Sequence, residues 1–250
     1  RAQPDVIIMD VRLPDGSAAM VRQGLTAVDG PLARLRLSGL RDPQRLLRLA
    51  DDMQRIASHC DILHVDVADG HFAPALLFFP DLVAALRKAS RAPVHTHLMA
   101  ADEILLDQIT QFADAGSDLI SIHAENANID DALDLLEERK IPAGLVLKVD
   151  SPLDVLPRYL PRLRFVTLLG TAIGIKGVGL DPRATGRLTA ARALIAAAQL
   201  PHRVVLASDG GNREQTLPLL RQAGAETVVL GSLAFGAPSL EDRMDWIHGL

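Results

Sequence analysis

The chain has 250 residues, 48% of them hydrophobic, with 3% aromatic residues and a net charge of −5. That balance supports one or two domains with a large core and excludes a basic nucleic-acid face or a set of aromatic stacking platforms. A lone cysteine, Cys60, excludes an internal disulfide and points to a reducing, cytoplasmic setting, and no apolar run reaches the ~20 residues of a membrane span.

Residues 1–31 read as an N-terminal extension, a strand and a turn whose apolar side needs cover from the rest of the chain or from a neighbouring subunit. From residue 32 to residue 250 strand-like and helix-like segments alternate. Strands are predicted over 35–37, 61–67, 93–99, 119–123, 143–147, 165–169, 203–208 and 227–230. Several are apolar on both faces, as in Gly144-Leu145-Val146-Leu147 and Val228-Val229-Leu230, which is how parallel strands covered on both sides read. Helices are predicted over 43–57, 80–89, 104–115, 129–139, 152–160, 188–198, 214–223 and 240–247. Asp42-Pro43 and Ser151-Pro152 each place a capping residue before a proline at the first helical position. Asn212 is a further N-cap candidate, and Gly116 and Gly224 follow helix ends, where a left-handed residue is wanted.

Eight βα units predict an α/β fold, a closed (β/α)8 TIM barrel. A doubly wound open sheet is the competitor. The barrel is favoured because candidate ligands follow strands two, three and seven, which closure brings to one mouth. In the second strand His64 and Asp66 are two residues apart and share a face, just before the Asp69-Gly70 turn. His97 closes the third strand, and Asp209 follows the seventh, running into Gly210-Gly211. Two histidines and two aspartates at strand ends make a ligand set for one divalent metal ion, with Zn, Fe, Mn and Co all acceptable. His95 shares the face of His97 one layer deeper and reads as core packing. His123 and Glu125 read as packing or supporting groups at the mouth, and His71 as fixing the turn after strand two.

The run His64-Val-Asp66-Val-Ala-Asp69-Gly70-His71-Phe72, with His97-Leu98-Met99, Ser121-Ile-His123-Ala-Glu125, Asp209-Gly210-Gly211 and Gly231-Ser232-Leu-Ala-Phe235, resembles the ribulose-phosphate 3-epimerase family of phosphate-binding barrels. Leu37-Ser38-Gly39-Leu40 matches its first-strand motif more weakly. The resemblance implies that His64, Asp66, His97 and Asp209 ligate one divalent ion. It makes Asp66 and Asp209 the acid/base pair and places Ser38 and His97 at the substrate. Gly210, Gly211, Gly231 and Ser232 would bind the phosphate. It also implies a homo-oligomer. Departures gather around the substrate: Ala68 replaces a usual Met, Ala75 a usual Asn, and Lys148 a usual Asn, while the Gly-rich loop is here Gly170-Thr-Ala-Ile-Gly174-Ile-Lys176-Gly177-Val-Gly179. Gly174 and Lys176 would lie over the phosphate, and Lys148 would meet a second anionic or hydroxylated part of the sugar.

The resulting expectation is an isomerase that inverts carbon 3 of a ketose phosphate, ribulose 5-phosphate or a related pentulose or hexulose phosphate. Two carboxylates would transfer the protons through a metal-stabilised enediolate. The alternatives are a sugar-phosphate lyase or decarboxylase on the same barrel, and a non-catalytic metal- and phosphate-binding sensor. The partner expected is a small phosphorylated sugar, with no nucleic acid and no membrane. Residues 4–17 also resemble the phospho-acceptor strand and turn of response-regulator receivers, with Asp10 as acceptor, but too few residues precede the barrel to build a receiver.

Overall fold

The computed structural model describes residues 34–36, 62–174 and 178–250. Its strands are β1 (Arg34–Arg36), β2 (Leu63–Asp69), β3 (Leu76–Leu77), β4 (Val94–Met99), β5 (Leu119–His123), β6 (Ala143–Leu147), β7 (Leu163–Leu169), β8 (Val205–Asp209) and β9 (Thr227–Leu230). Eight of them run parallel in the order β1-β9-β8-β7-β6-β5-β4-β2, and β1 also pairs in parallel with β2. The sheet therefore closes on itself as the predicted barrel, with no free edge among those eight strands. β3 is an unpredicted addition that pairs antiparallel to the end of β2; two residues are too short for a periodicity to show.

The helices are α1 (Pro80–Ala89), α2 (Asp102–Asp114), α3 (Ile129–Glu138), α4 (Leu156–Tyr159), α5 (Ala184–Ala197), α6 (Leu217–Ala223), α7 (Ser232–Phe235) and α8 (Leu240–His248). α2 to α6 each join two consecutive parallel strands, as the crossover of a βαβ unit requires, while α1 follows β3 and α7 and α8 both follow β9. None among the described residues is long and apolar enough to cross a membrane. α3 shows the pattern that seats them: Ile129, Ala132, Leu133 and Leu136 are buried on one face. They join Leu63, Val65, Ile120, Ile122, Val166 and Leu206 in the core between barrel and helices. The alternate residues Leu119, Phe165, Val205 and Ala207 form a separate cluster, filling the barrel interior.

Several local expectations are corrected. The helix expected over 152–160 is broken into a 3-10 turn (Leu153–Val155), α4 and a second 3-10 turn (Leu160–Arg162), because Pro157 and Pro161 each lack the N–H an α-helix interior needs. Ser151 does not cap it; its hydroxyl hydrogen-bonds to Glu125 instead. α6 starts at Leu217, three residues later than expected, with Pro218 in its first turn. Asn212 does not cap it but donates to Ser208 O (3.3 Å) and Val229 O (2.6 Å), tying the ends of β8 and β9. α5 begins earlier than expected, at Ala184, since one helical Gly186 costs only ~1 kcal/mol. Gly224 does take the left-handed C-cap of α6 (φ 108°), and Gly116 is also left-handed after α2 (φ 98°). The extension 1–31, Asp10, the Asp42-Pro43 cap and the helix over 43–57 lie outside the described residues.

Candidate active site

The site is built on β2, β4, β5, β6 and β8: His123 and Asp209 close β5 and β8, while His64, Asp66 and His97 lie within β2 and β4. Register assembles it. β2 and β4 pair His64 with His95 and Asp66 with His97. β5 then sets Ser121 beside His97. In every one of these strands the residue two further on shares the inward face, so the histidines stack in layers up the barrel.

His64, Asp66, His97 and Asp209 are at most 2% exposed. Each offers one ligand atom, and the four atoms lie within 4.8 Å of one another. Asp66 Oδ1 is 3.1 Å from His64 Nε2 and 2.9 Å from His97 Nδ1. Asp209 is the last residue of β8 rather than the first of the loop. β9 and β1 alone separate β8 from β2 on one side of the barrel. The two carboxylates converge because both project into the barrel. Two buried carboxylates this close repel each other, and burying them is costly without a compensating cation. Two imidazole nitrogens and two carboxylate oxygens are a donor set for a divalent transition ion. The residues present fit that group.

Around this cluster runs a hydrogen-bonded chain that sequence reasoning undervalued. His95, expected as packing, is buried but places Nδ1 2.7 Å from His64 Nδ1 and Nε2 2.7 Å from Ser121 Oγ. Gly144 on β6 makes room for that contact: a Cβ there would fall 2.0 Å from Ser121 Oγ. His123 Nε2 lies 2.8 Å from His97 Nε2, and its Nδ1 lies 2.8 Å from Glu125 Oε2. The matching separations are the signal that could have found them. His64–His95 and Asp66–His97 are both 31 apart, while His95–Ser121 and His97–His123 are both 26 apart.

Asp69, not the side chain of His71, fixes the turn after β2. Its carboxylate accepts from the backbone N–H groups of His71, Phe72 and Ala101 (2.7–2.8 Å). Burial opposes its ionisation, but these three bonds outweigh it and lower its pKa. The His71 side chain is exposed. Beyond that turn Ala68, Ala73 and Met99 form an apolar patch joined by Phe72, Leu77 and Ile173.

Burial pushes the His123 pKa down to about 4, partly opposed by Glu125. Burial also resists ionisation of Glu125, yet the hydrogen bonds from His123, Ser151 and the Lys148 N–H bring its carboxyl down to about 2 from 4.5. Below its unfolded-state value Glu125 therefore takes up a proton only on unfolding, and stability is lost as the pH falls from about 4.5 towards 2. Urea unfolding should show the wild type losing roughly 1.4 kcal/mol per pH unit more than Glu125→Gln across that window, about 3 kcal/mol in full. Equal slopes for the two proteins would refute the assignment.

Lys148 is not part of the four-residue cluster. Its Nζ stands 4.0 Å over the Phe72 ring, and Phe72 lies 4.7 Å from the His123 ring. Gly174 (φ 72°) abuts the loop after β2, since a Cβ there would meet Pro74 Cδ at 2.9 Å. Gly210 and Gly211 are left-handed (φ 91° and 72°), and side chains there would strike Thr171 and Leu180. Next to them across β9, Gly231 faces open space and Ser232 opens α7. Ser38 and Lys176 lie outside the described residues.

A closed parallel barrel with acids and imidazoles from several strands converging in one buried cluster defines a barrel enzyme. The model of the ribulose-phosphate 3 epimerase family matches residues 42–235. A ribulose-phosphate 3-epimerase of Chlamydia pneumoniae is 31% identical over 192 residues, 76% of this chain and 83% of that protein. Ribulose-phosphate 3-epimerase 2 of Cupriavidus necator is 34% identical over 200 residues, 78% and 81% of the two chains. Among solved structures, a 3-hexulose-6-phosphate synthase superposes with a TM-score of 0.59 at 18% identity, covering 80% of this chain and 92% of that one. The orotidine 5'-phosphate decarboxylase of Pyrococcus horikoshii OT3 gives 0.55 at 13% identity, covering 81% and 92%; these two likenesses show the barrel fold. The chain belongs to the ribulose-phosphate 3-epimerase family and is an isomerase of the epimerase class.

Proposed function

We propose that this protein inverts carbon 3 of a ketose phosphate, with ribulose 5-phosphate the first substrate to test. The observation that carries the reading is the convergence of Asp66 and Asp209, from separate strands, in one buried four-donor cluster. Inversion next to a carbonyl requires removing a C–H proton from one face and returning one to the other. Asp66 and Asp209 are the two groups that flank the reacting carbon. One carboxylate takes the proton while the other, protonated, delivers its own; in the reverse direction they exchange roles.

His64, Asp66, His97 and Asp209 would hold one divalent ion, Zn, Fe, Mn or Co. When bound, such an ion supplies Lewis-acid stabilisation of negative charge on the substrate's carbonyl and hydroxyl oxygens. The phosphate is assigned to the backbone N–H groups of Gly210, Gly211, Gly231 and Ser232. That assignment is supported by the open space at Gly231 and by Asn212, which holds the two strand ends side by side. Gly174 seats the neighbouring loop, and Ser38 and Lys176 complete the substrate contacts in this reading. Lys148, held on the Phe72 face, is positioned to meet a hydroxyl or anionic group of the sugar. A homo-oligomer working in the cytoplasm belongs to the same reading, supported by the exposed Leu76 and Phe79 near the mouth and by the single cysteine.

The test is a screen of pentulose and hexulose phosphates in D₂O by NMR, with each metal added singly. The expected result is solvent deuterium at carbon 3 together with the epimeric product, lost on chelation. Carbon–carbon cleavage products, or no exchange with any substrate, would overturn the reading.

A further inference from the structure

His123 sits between two groups of different hydrogen-bonding character. On one side is Glu125, whose Oε1 already accepts the Lys148 N–H (3.1 Å) and the Ser151 hydroxyl. Its Oε2 is 2.8 Å from His123 Nδ1. An ionised carboxylate can only accept, so the proton of that bond is on His123 Nδ1. A neutral imidazole protonated at Nδ1 carries its lone pair on Nε2. His123 Nε2 is 2.8 Å from His97 Nε2, and a contact that short between two ring nitrogens needs a hydrogen between them. It must come from His97. A neutral His97 with its proton on Nε2 then presents the Nδ1 lone pair, and Nδ1 is the atom 2.9 Å from Asp66 Oδ1 in the four-donor cluster.

We propose that Glu125 and His123 are positioning residues that select the tautomer of His97, so that its Nδ1 lone pair faces the cation held by His64, Asp66, His97 and Asp209. The inference rests on the metal-centred reading above. Neither residue reaches the cluster itself. The carboxylate sets the direction of two successive N–H bonds, and the second leaves a ligand nitrogen bare. Packing holds the relay in line: the His97 and His123 rings are 4.9 Å apart at 32°, and Phe72 lies against His123 on one side with Lys148 over it. A hydrogen-bond partner that orients a ligating histidine is generally worth 10–100-fold in metal affinity.

The test combines tautomer and affinity measurements. Long-range ¹H–¹⁵N NMR of the Zn²⁺-loaded protein, at mildly alkaline pH, should show His123 protonated at Nδ1 alone and His97 at Nε2 alone. Glu125→Gln keeps the shape but can also donate, so His123 should become a mixture of tautomers. Zn²⁺ affinity, read by competition with a chromophoric chelator, should fall by about 10-fold or more. Ser151→Ala, which removes a neighbouring bond to Glu125 outside the relay, should leave tautomers and affinity near wild type. A wild-type His97 protonated at Nδ1, or unchanged Zn²⁺ affinity in Glu125→Gln with its tautomers mixed, would overturn the relay. A wild-type protein that takes up no Zn²⁺ would instead overturn the metal-centred reading, and the uptake measurement separates the two failures.

Discussion

Replacing Asp209 by asparagine is expected to lower kcat for epimerisation by about 10³-fold or more, with solvent-deuterium exchange at carbon 3 lost in parallel. The residue is the last of β8, is 1% exposed, and contributes one of the four clustered ligand atoms. An amide of the same shape occupies that position without being able to accept or return a proton, and it binds a dication as a neutral oxygen. The two losses are separable. Metal content measured on the purified variant reports the ligand role, while exchange with saturating metal reports the proton-transfer role. Asp66→Asn should behave alike, because the proposed reaction runs through both carboxylates. Turnover close to wild type in a metal-loaded Asp209→Asn protein would refute its role as acid or base.

The largest expected effect on stability falls inside the barrel. Phe165→Ala should destabilise the protein by about 3–5 kcal/mol. Phe165 is fully buried on β7, between Gly144 of β6 and Val205 of β8, and packs with Leu119, Val205 and Ala207. Strands on every side fix the walls, so the space left by the ring collapses poorly. For a chain of this size the loss corresponds to a fall in Tm of roughly 6–20 °C, measurable by calorimetry. The same ring is 5.8 Å from His95, which holds His64. Metal affinity should therefore weaken along with stability, whereas an equally destabilising truncation on the outer side, such as Phe112→Ala, should leave affinity unchanged in the folded protein. A loss below 1 kcal/mol would contradict the packing account.

The sequence was most legible where function depends on spacing within one segment. His64 and Asp66 share a face because a strand repeats every two residues, and Asp209 stands at a strand end because a β-rich run meets two glycines. Apolar strands alternating with amphipathic segments led to a parallel α/β fold, and the candidate ligands after strands two, three and seven favoured closure into a barrel over an open sheet. Proline placement would have warned of the broken helix near 157, had its effect on the ladder been weighed against the apolar periodicity. Lys148 illustrates the opposite case. Its place at a strand end was visible, but its seat on Phe72 depends on how the turn after β2, pinned by Asp69, folds across the mouth.

By itself, then, the sequence determined the eight parallel strands and which residues share a face along each, and it put Asp209 at a strand end, whereas His64, Asp66 and His97 lie within their strands. Only the tertiary structure decided that His95 is a partner of His64 rather than core packing, that the supporting role open to His123 is a bond to His97, that Gly144 makes room for Ser121, and that Glu125 ends the chain of bonds. The reason is that side-chain alternation is a local property of the backbone, whereas contact across strands is set by the register between segments some 26 to 31 residues apart.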